Sequence, residues 1–293
     1  MKDKTQRVSI QILNSNRIGE LDICLTSLIN QTYSNWDLII LDESDNSVIK
    51  HKHVKDTLTF IKCQGHGVIY KYQNPPMYNI GKNRNTCFEL DEFENELVIR
   101  IDDDSFIDKD YIKTLVDTYE NLVKKGIKVG AVGGIVPVFG NPQVYKNVPK
   151  IFNEVTINKQ GDILHMSDDG GMNYLKTKIV PSHHLRSSFL FTRESFQAVN
   201  GHPLEYGFNG FREETDFSFK MLLKGYKLFT NTGAKCYHLQ AMGGSRNFSQ
   251  EQYMNLVNVN DKHFRNKVKY WIDKYSIDKI VKDKIFTVVK NHE

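Results

Sequence analysis

The sequence predicts an α/β fold with a mainly parallel central sheet flanked by helices and a helical extension at the C-terminus. Three observations carry this: short apolar runs rich in β-branched residues, helical periodicities alternating with them, and an apolar helical stripe after the last run. Val8 to Leu13 (VSIQIL) is a strand, and the polar NSNRIGE after it is a loop. Ile18, Leu21, Leu25 and Leu28 then recur at helical spacing, and after Trp36 the run DLIILDESDN is a second buried strand ending in acids. A βαβ unit therefore opens the chain.

Lys82 to Leu90 suits a helix and ELVIRI (Glu96 to Ile101) another buried strand, stopped by DDDS. Tyr111, Leu115, Val116, Tyr119 and Val123 mark the next helix, with Asp108 as N-cap and Gly126 beyond its end. The glycines of GAVGG suit a packed or bent strand. From Pro137 to Pro181 the scatter of Pro, Gly, Asn and Asp predicts long loops. SSFLFT is a strand, Glu194 to Val199 and Glu214 to Lys224 are helices, and YKLFT and AKCYHL are two short strands. After Gly243 and Gly244, the residues Tyr253, Leu256, Phe264, Val268, Trp271 and Tyr275 form the stripe.

At 293 residues, 40% hydrophobic and 25% charged, the chain has the composition of a globular protein with a sizeable core rather than of a disordered one. A formal net charge of +4 is too small to indicate nucleic acid unless it is clustered. Basic residues do recur from Lys262 to Lys290, a pattern that suits a solvated helix face and leaves an anionic membrane surface or a charged acceptor open. Cys24, Cys63, Cys87 and Cys236 form no CxxC pair, which argues against a zinc site or a disulfide framework and for reduced thiols. MKDKTQRVSI has no apolar signal stretch, and no run reaches the length of a membrane span. The expectation is a cytoplasmic protein, with the C-terminal tail as its one route to peripheral membrane contact.

Asp102-Asp103-Asp104-Ser105 directly follows a buried strand, where ligands of open parallel sheets bind. Three adjacent carboxylates repel one another, and a divalent cation such as Mg²⁺ or Mn²⁺ would relieve that repulsion; a solvent-facing acidic turn suits the same residues. Arg212-Glu213-Glu214-Thr215-Asp216 opens a helix, where one acid is explained by capping and the further acids suggest a site wall carrying a base. His238 ends a strand and would join the acids if the sheet brings it to Asp104.

VSIQIL with NSNR, QTYSNWDLIILDES, GKNRN, VIRIDDDSF, VNGHPLEYGFNGFREETDFSFKMLLKGYKL and AKCYH, in that order over roughly residues 6 to 240, resemble the inverting glycosyltransferases of the GT-A type, family 2. The resemblance implies a catalytic domain over 1–244, a helical extension over 245–293, and transfer of a sugar from a nucleotide-diphosphate donor, a UDP-sugar foremost, to an acceptor hydroxyl. It implies donor contacts by Asn14, Asp42 (at the base), Arg84, Asp102 and Asp103, and a Mn²⁺ or Mg²⁺ site made by Asp104, Asp102 and His238. Glu214 is then the base and Glu213 its neighbour at the acceptor, a glycan or lipid-linked glycan of surface polysaccharide synthesis. Two features depart from the family pattern: Ser15 stands where many relatives carry an aromatic residue, and Glu213-Glu214 replaces Glu-Asp.

Dinucleotide, P-loop and GxSxG fingerprints are absent, and the first loop lacks the Gly-rich phosphate cradle of enzymes that make sugar nucleotides. Two rivals remain at this level: a transferase acting on a modified nucleic-acid base, and a non-catalytic carbohydrate-binding protein.

Overall fold

The computed structural model describes residues 6–141, 143–207, 209–241 and 249–289. The chain begins with β1 (Val8–Asn14), α1 (Ile18–Ile29) and β2 (Trp36–Asp42), the expected βαβ unit. Next come α2 (Lys52–Cys63) and β3 (Val68–Tyr72), to which the sequence pattern assigned nothing. In β3 no residue is fully buried, so the apolar run that marks its neighbours is missing. Then follow α3 (Ile80–Glu89), β4 (Leu97–Asp102), β5 (Ser105–Ile107), α4 (Tyr111–Lys124) and β6 (Val129–Ile135). The N-cap of α4 is Asp110 and not Asp108, whose carbonyl instead accepts from Tyr111 N at 2.9 Å.

The stretch expected as loops carries short strands: β7 (Val144–Tyr145), β8 (Val155–Ile157), β9 (Ile163–Met166), β10 (Asn173–Tyr174) and β11 (Ile179–Pro181). After β12 (Phe189–Thr192), α5 (Arg193–Ala198) and α6 (Glu213–Leu223) comes β13 (Lys227–His238), one strand where two were expected. Its polar centre reads as a turn, yet Asn231 Nδ2 donates to Thr118 Oγ1 (2.8 Å) and Thr232 N to the Lys178 carbonyl (3.0 Å). These partners keep the backbone extended, with a register shift between Thr230 and Lys235. Last are α7 (Gln250–Tyr275), α8 (Ile277–Lys282) and β14 (Thr287–Val288).

The main sheet runs β11-β13-β6-β12-β4-β1-β2-β3, with β5 on β13. From β4 to β3 all pairings are parallel, as is β6 with β13. Beyond β4 the sheet is mixed, because β12 returns from the long 137–188 excursion antiparallel to both β4 and β6. Period-2 alternation divides the core: Leu97, Ile99 and Ile101 face the cluster under α1, α2 and α4, whereas Val98 joins Phe189, Phe191 and Phe217 on the other face. In GAVGG the strand is closely packed, since a Cβ on Gly134 would stand 2.3 Å from the Ala234 carbonyl oxygen.

Helix α7 starts at a Ser249/Gln252 capping box and buries Phe264, Val268, Trp271 and Ile272 in that second cluster. The extension is thus part of the core of the main fold; Gly243 and Gly244, the expected boundary, lie outside the described residues. Three of its basic residues pair within the molecule: Lys267 with Asp216 (2.5 Å) and Glu205 (3.0 Å), Lys269 with Asp162 (2.7 Å) and Arg265 with Asp261 (2.6 Å). Among the described residues no helix is long and apolar enough to cross a membrane.

Candidate active site

The sheet brings polar residues together where its parallel strands end. Register pairs Leu13 with Asp102, so Asn14 and the acidic turn stand side by side. After Asp102 the chain turns back into β5, whose Ser105 pairs with His238 of β13. This return delivers the histidine to the acids: Asp102, Asp104 and His238 each offer a ligand atom, all within 4.8 Å of one another. His238 Nε2 lies 3.3 Å from Asp104 Oδ1. The two carboxylates are hard oxygen donors of the kind Mn²⁺ or Mg²⁺ takes, the imidazole is a borderline nitrogen donor that suits Mn²⁺ better than Mg²⁺, and their spacing approaches the roughly 4 Å that opposite ligands span around one small cation. The residues present fit the metal.

These groups line a cavity of about 730 Å³ whose walls also carry Asn14, Arg84, Asp103 and Glu214. Burial alone would raise Asp102, but Arg84 and Arg100 overcome it and hold its carboxyl below the usual range. Arg84 Nη2 donates to Asp102 Oδ1 at 2.7 Å, with Arg84 itself buried. Asp103 behaves oppositely, since burial pushes it up to about 7 although Arg17 Nη1 donates to its Oδ1 at 2.8 Å.

Two expected residues are not brought to the cavity. Asp42 has no exposed surface, and its oxygens accept from Asn14 Nδ2 (3.0 Å), Ser44 N (3.0 Å), Val48 N (2.9 Å) and the Tyr70 hydroxyl (2.5 Å). With both oxygens committed it shapes the first loop, and the next acid, Glu43, occupies the wall. Glu213 is likewise fully buried, accepting from Arg100 Nη1 (2.8 and 3.1 Å) and bonded to His202 Nδ1. Burial opposes its ionisation, but Arg100 and His202 outweigh that and depress its pKa. His202 is stacked on Phe217 at 3.9 Å and is pushed down to about 4 by burial, so near neutral pH it is an uncharged donor.

Glu214, one residue on, lines the cavity. Its position at the start of α6 suggests easy ionisation, but burial raises its pKa, and Glu213 and Asp102 add to the rise against Arg100. The helix terminus does not dominate here. Sequence reasoning missed Arg100 and His202, although a charged residue inside the buried run ELVIRI was the available signal.

A third wall comes from the 137–188 excursion, the start of α6 and α7, through Asp168, His184, Arg186, Arg212 and Tyr253. The C-terminal extension therefore contributes to the cavity directly, and Asp261 of α7 accepts from Arg212 Nε (2.8 Å) and Nη2 (2.6 Å).

A mixed α/β sheet with this acid-and-histidine cluster at its strand ends is the architecture of a GT-A type glycosyltransferase. The chain belongs to glycosyl transferase family 2, whose model matches residues 9–181, ending before Glu213 and Glu214. Among solved structures it is similar to S. aureus TarS (TM-score 0.59, 14% identity, covering 95% of this chain and 42% of that one). It is also similar to GalNAc-T7 solved with UDP, GalNAc and Mn²⁺ (TM-score 0.58, 15% identity, 88% of this chain and 48% of that one). TarS 1-349 matches at TM-score 0.54 and 12% identity, over 95% of this chain and 77% of that one. The chain thus spans under half the length of the first two structures. A search of curated proteins found no match.

Proposed function

We propose that the protein transfers a sugar from a UDP-sugar to an acceptor hydroxyl with inversion, using Glu214 as base and a divalent cation held by Asp102, Asp104 and His238. The observation that carries this is one cavity lined both by the three metal-directed groups and by a partly exposed carboxylate from another element. When bound, the cation would neutralise the charge that develops on the leaving diphosphate. Asp102 and Asp104 orient that end of the donor, and Arg84, fixed through Asp102, places a permanent positive charge beside it. Glu214 accepts the proton of the acceptor hydroxyl as the new bond forms. Glu213 acts through Arg100, positioning the wall on which the reacting groups meet.

The acceptor we assign is a glycan or lipid-linked glycan of surface polysaccharide synthesis. A reducing, cytoplasmic setting agrees with four cysteines that stand as free thiols. Arg265, Lys267 and Lys269 of α7 are paired within the chain, so these three lend no support to membrane or nucleic-acid contact through the tail. Nuclear magnetic resonance of the product tests the mechanism: an inverted anomeric centre is expected, and a retained one would rule out single displacement by a Glu214-activated hydroxyl.

A further inference from the structure

The cavity wall formed by the 137–188 excursion and the start of α6 carries two guanidinium groups beside Asp168. Arg186 and Arg212 both line it, and both guanidinium charges act on His184, which lines it with them. His184 is 6% exposed, and neither of its ring nitrogens has a hydrogen-bond partner among the described residues. A buried imidazole with both nitrogens unmatched is costly unless a ligand completes it. Burial first, then Arg212 and Arg186, push its pKa down to about 3, so near neutral pH it is uncharged and has one N–H to donate.

The two arginines are seated deliberately. A Cβ on Gly170 would stand 2.7 Å from Arg186 Cδ, and one on Gly171 would stand 2.8 Å from its Nη1, so the glycine pair makes room for the side chain. Arg212 adopts a left-handed φ of 75°, strained for a residue with a side chain, while Asp261 grips its guanidinium. Arg186 gives Nη1 to Asp168, and Arg212 gives Nε and Nη2 to Asp261; each guanidinium carries further N–H groups that these pairs do not use. Asp168 is a weak competitor for Arg186, its side chain being 69% exposed.

We infer that Arg186, Arg212 and His184 form an acceptor subsite for a negatively charged group, phosphate or carboxylate, beside the hydroxyl presented to Glu214. Each guanidinium already has one carboxylate partner, and the N–H groups left over, with the His184 ring, are donors that an anion matches with charge-assisted bonds more strongly than a neutral sugar does. The inference rests on Glu214 being the base, which makes this wall the acceptor side.

Calorimetric titration of the full chain, saturated with UDP and Mn²⁺, tests it with glycerol 3-phosphate, glucuronate and glycerol as probes. At least one anion should bind and glycerol should not, and comparison of the two anions tells which group the subsite takes. Arg186→Gln should weaken anion binding by about tenfold, the worth of one charge-assisted bond, while Arg186→Lys keeps most of it and UDP affinity stays unchanged. Absence of anion binding, equal binding of glycerol, or an Arg186→Gln variant with parental anion affinity would overturn the subsite. Anion binding that UDP abolishes would also overturn it, by placing the anion on the donor side. Failure of UDP and Mn²⁺ to bind at all would instead count against the donor reading.

Discussion

Glu213 and Glu214 are adjacent in sequence and opposite in environment. Arg100 and His202 engage Glu213, so Glu213→Gln leaves the Arg100 charge short of its buried partner, and denaturant unfolding should show a loss of about 3 kcal/mol. Its depressed pKa gives the sign of the pH effect: this stabilisation is present above the ordinary glutamate range and lost as pH falls through the lower, folded-state value. The variant should therefore show a weaker acid-side decline of stability than the parent. Glu214 is the reverse case. Its folded pKa is raised, so stability is lost as pH rises from the ordinary value through the folded one. Glu214→Gln should be at least as stable as the parent in a thermal melt at pH 7, yet lose about two to four orders of magnitude in turnover. Parental turnover in this variant would exclude Glu214 as the base.

The residues legible in the sequence were those that punctuate regular structure. Asp102 and Asp104 end a buried strand and His238 ends another, so their chemistry was visible and only their convergence needed the sheet. His184 and Arg186 were hidden because they lie in the excursion, where no periodicity marks which side chain faces inward. Asp42 is placed at the donor by the resemblance, and in the structure its oxygens accept from Asn14, Ser44, Val48 and Tyr70.

At the scale of elements, α7 has the most to explain. Its stripe was read correctly at Phe264, Val268 and Trp271, which are buried, whereas Tyr253 and Leu256 are only partly covered and Tyr253 lies at the cavity. Phe264 has no exposed surface and packs against Phe219 and Trp271. Phe264→Ala should therefore cost about 3–5 kcal/mol in urea unfolding. Deleting residues 249–293 should leave an aggregating protein rather than a folded catalytic domain, because Phe219 would lose Phe264, Trp271 and Phe286 together. A soluble, cooperatively unfolding 1–248 fragment would show the extension to be an appendage. Of the elements missed, β3 is half-exposed and the strands of the excursion are short, whereas α2 buries Val54, Leu58 and Ile61 at a helical spacing that was open to reading. For strands of two or three residues, local pattern is too short to mark a pairing.

For the molecule as a whole, the parallel half of the sheet, from β4 to β3, delivers Asn14 and Asp102, and the mixed half returns β13 so that His238 closes the cluster. The fold class was legible from alternating strands and helices; the mixed half was not, since strand direction depends on where a long connection re-enters the sheet. Everything proposed for catalysis depends on this convergence holding a cation beside a nucleotide sugar. The direct test is release of nucleoside diphosphate from a panel of nucleotide sugars, with acceptor mixtures, in Mn²⁺ and in excess chelator. Turnover of a UDP-sugar is expected in Mn²⁺, abolished by chelator, restored by added metal, and lost in Asp104→Asn without loss of folding. Full turnover in protein verified to be metal-free, or no turnover of any nucleotide sugar with Mn²⁺ bound, would contradict it.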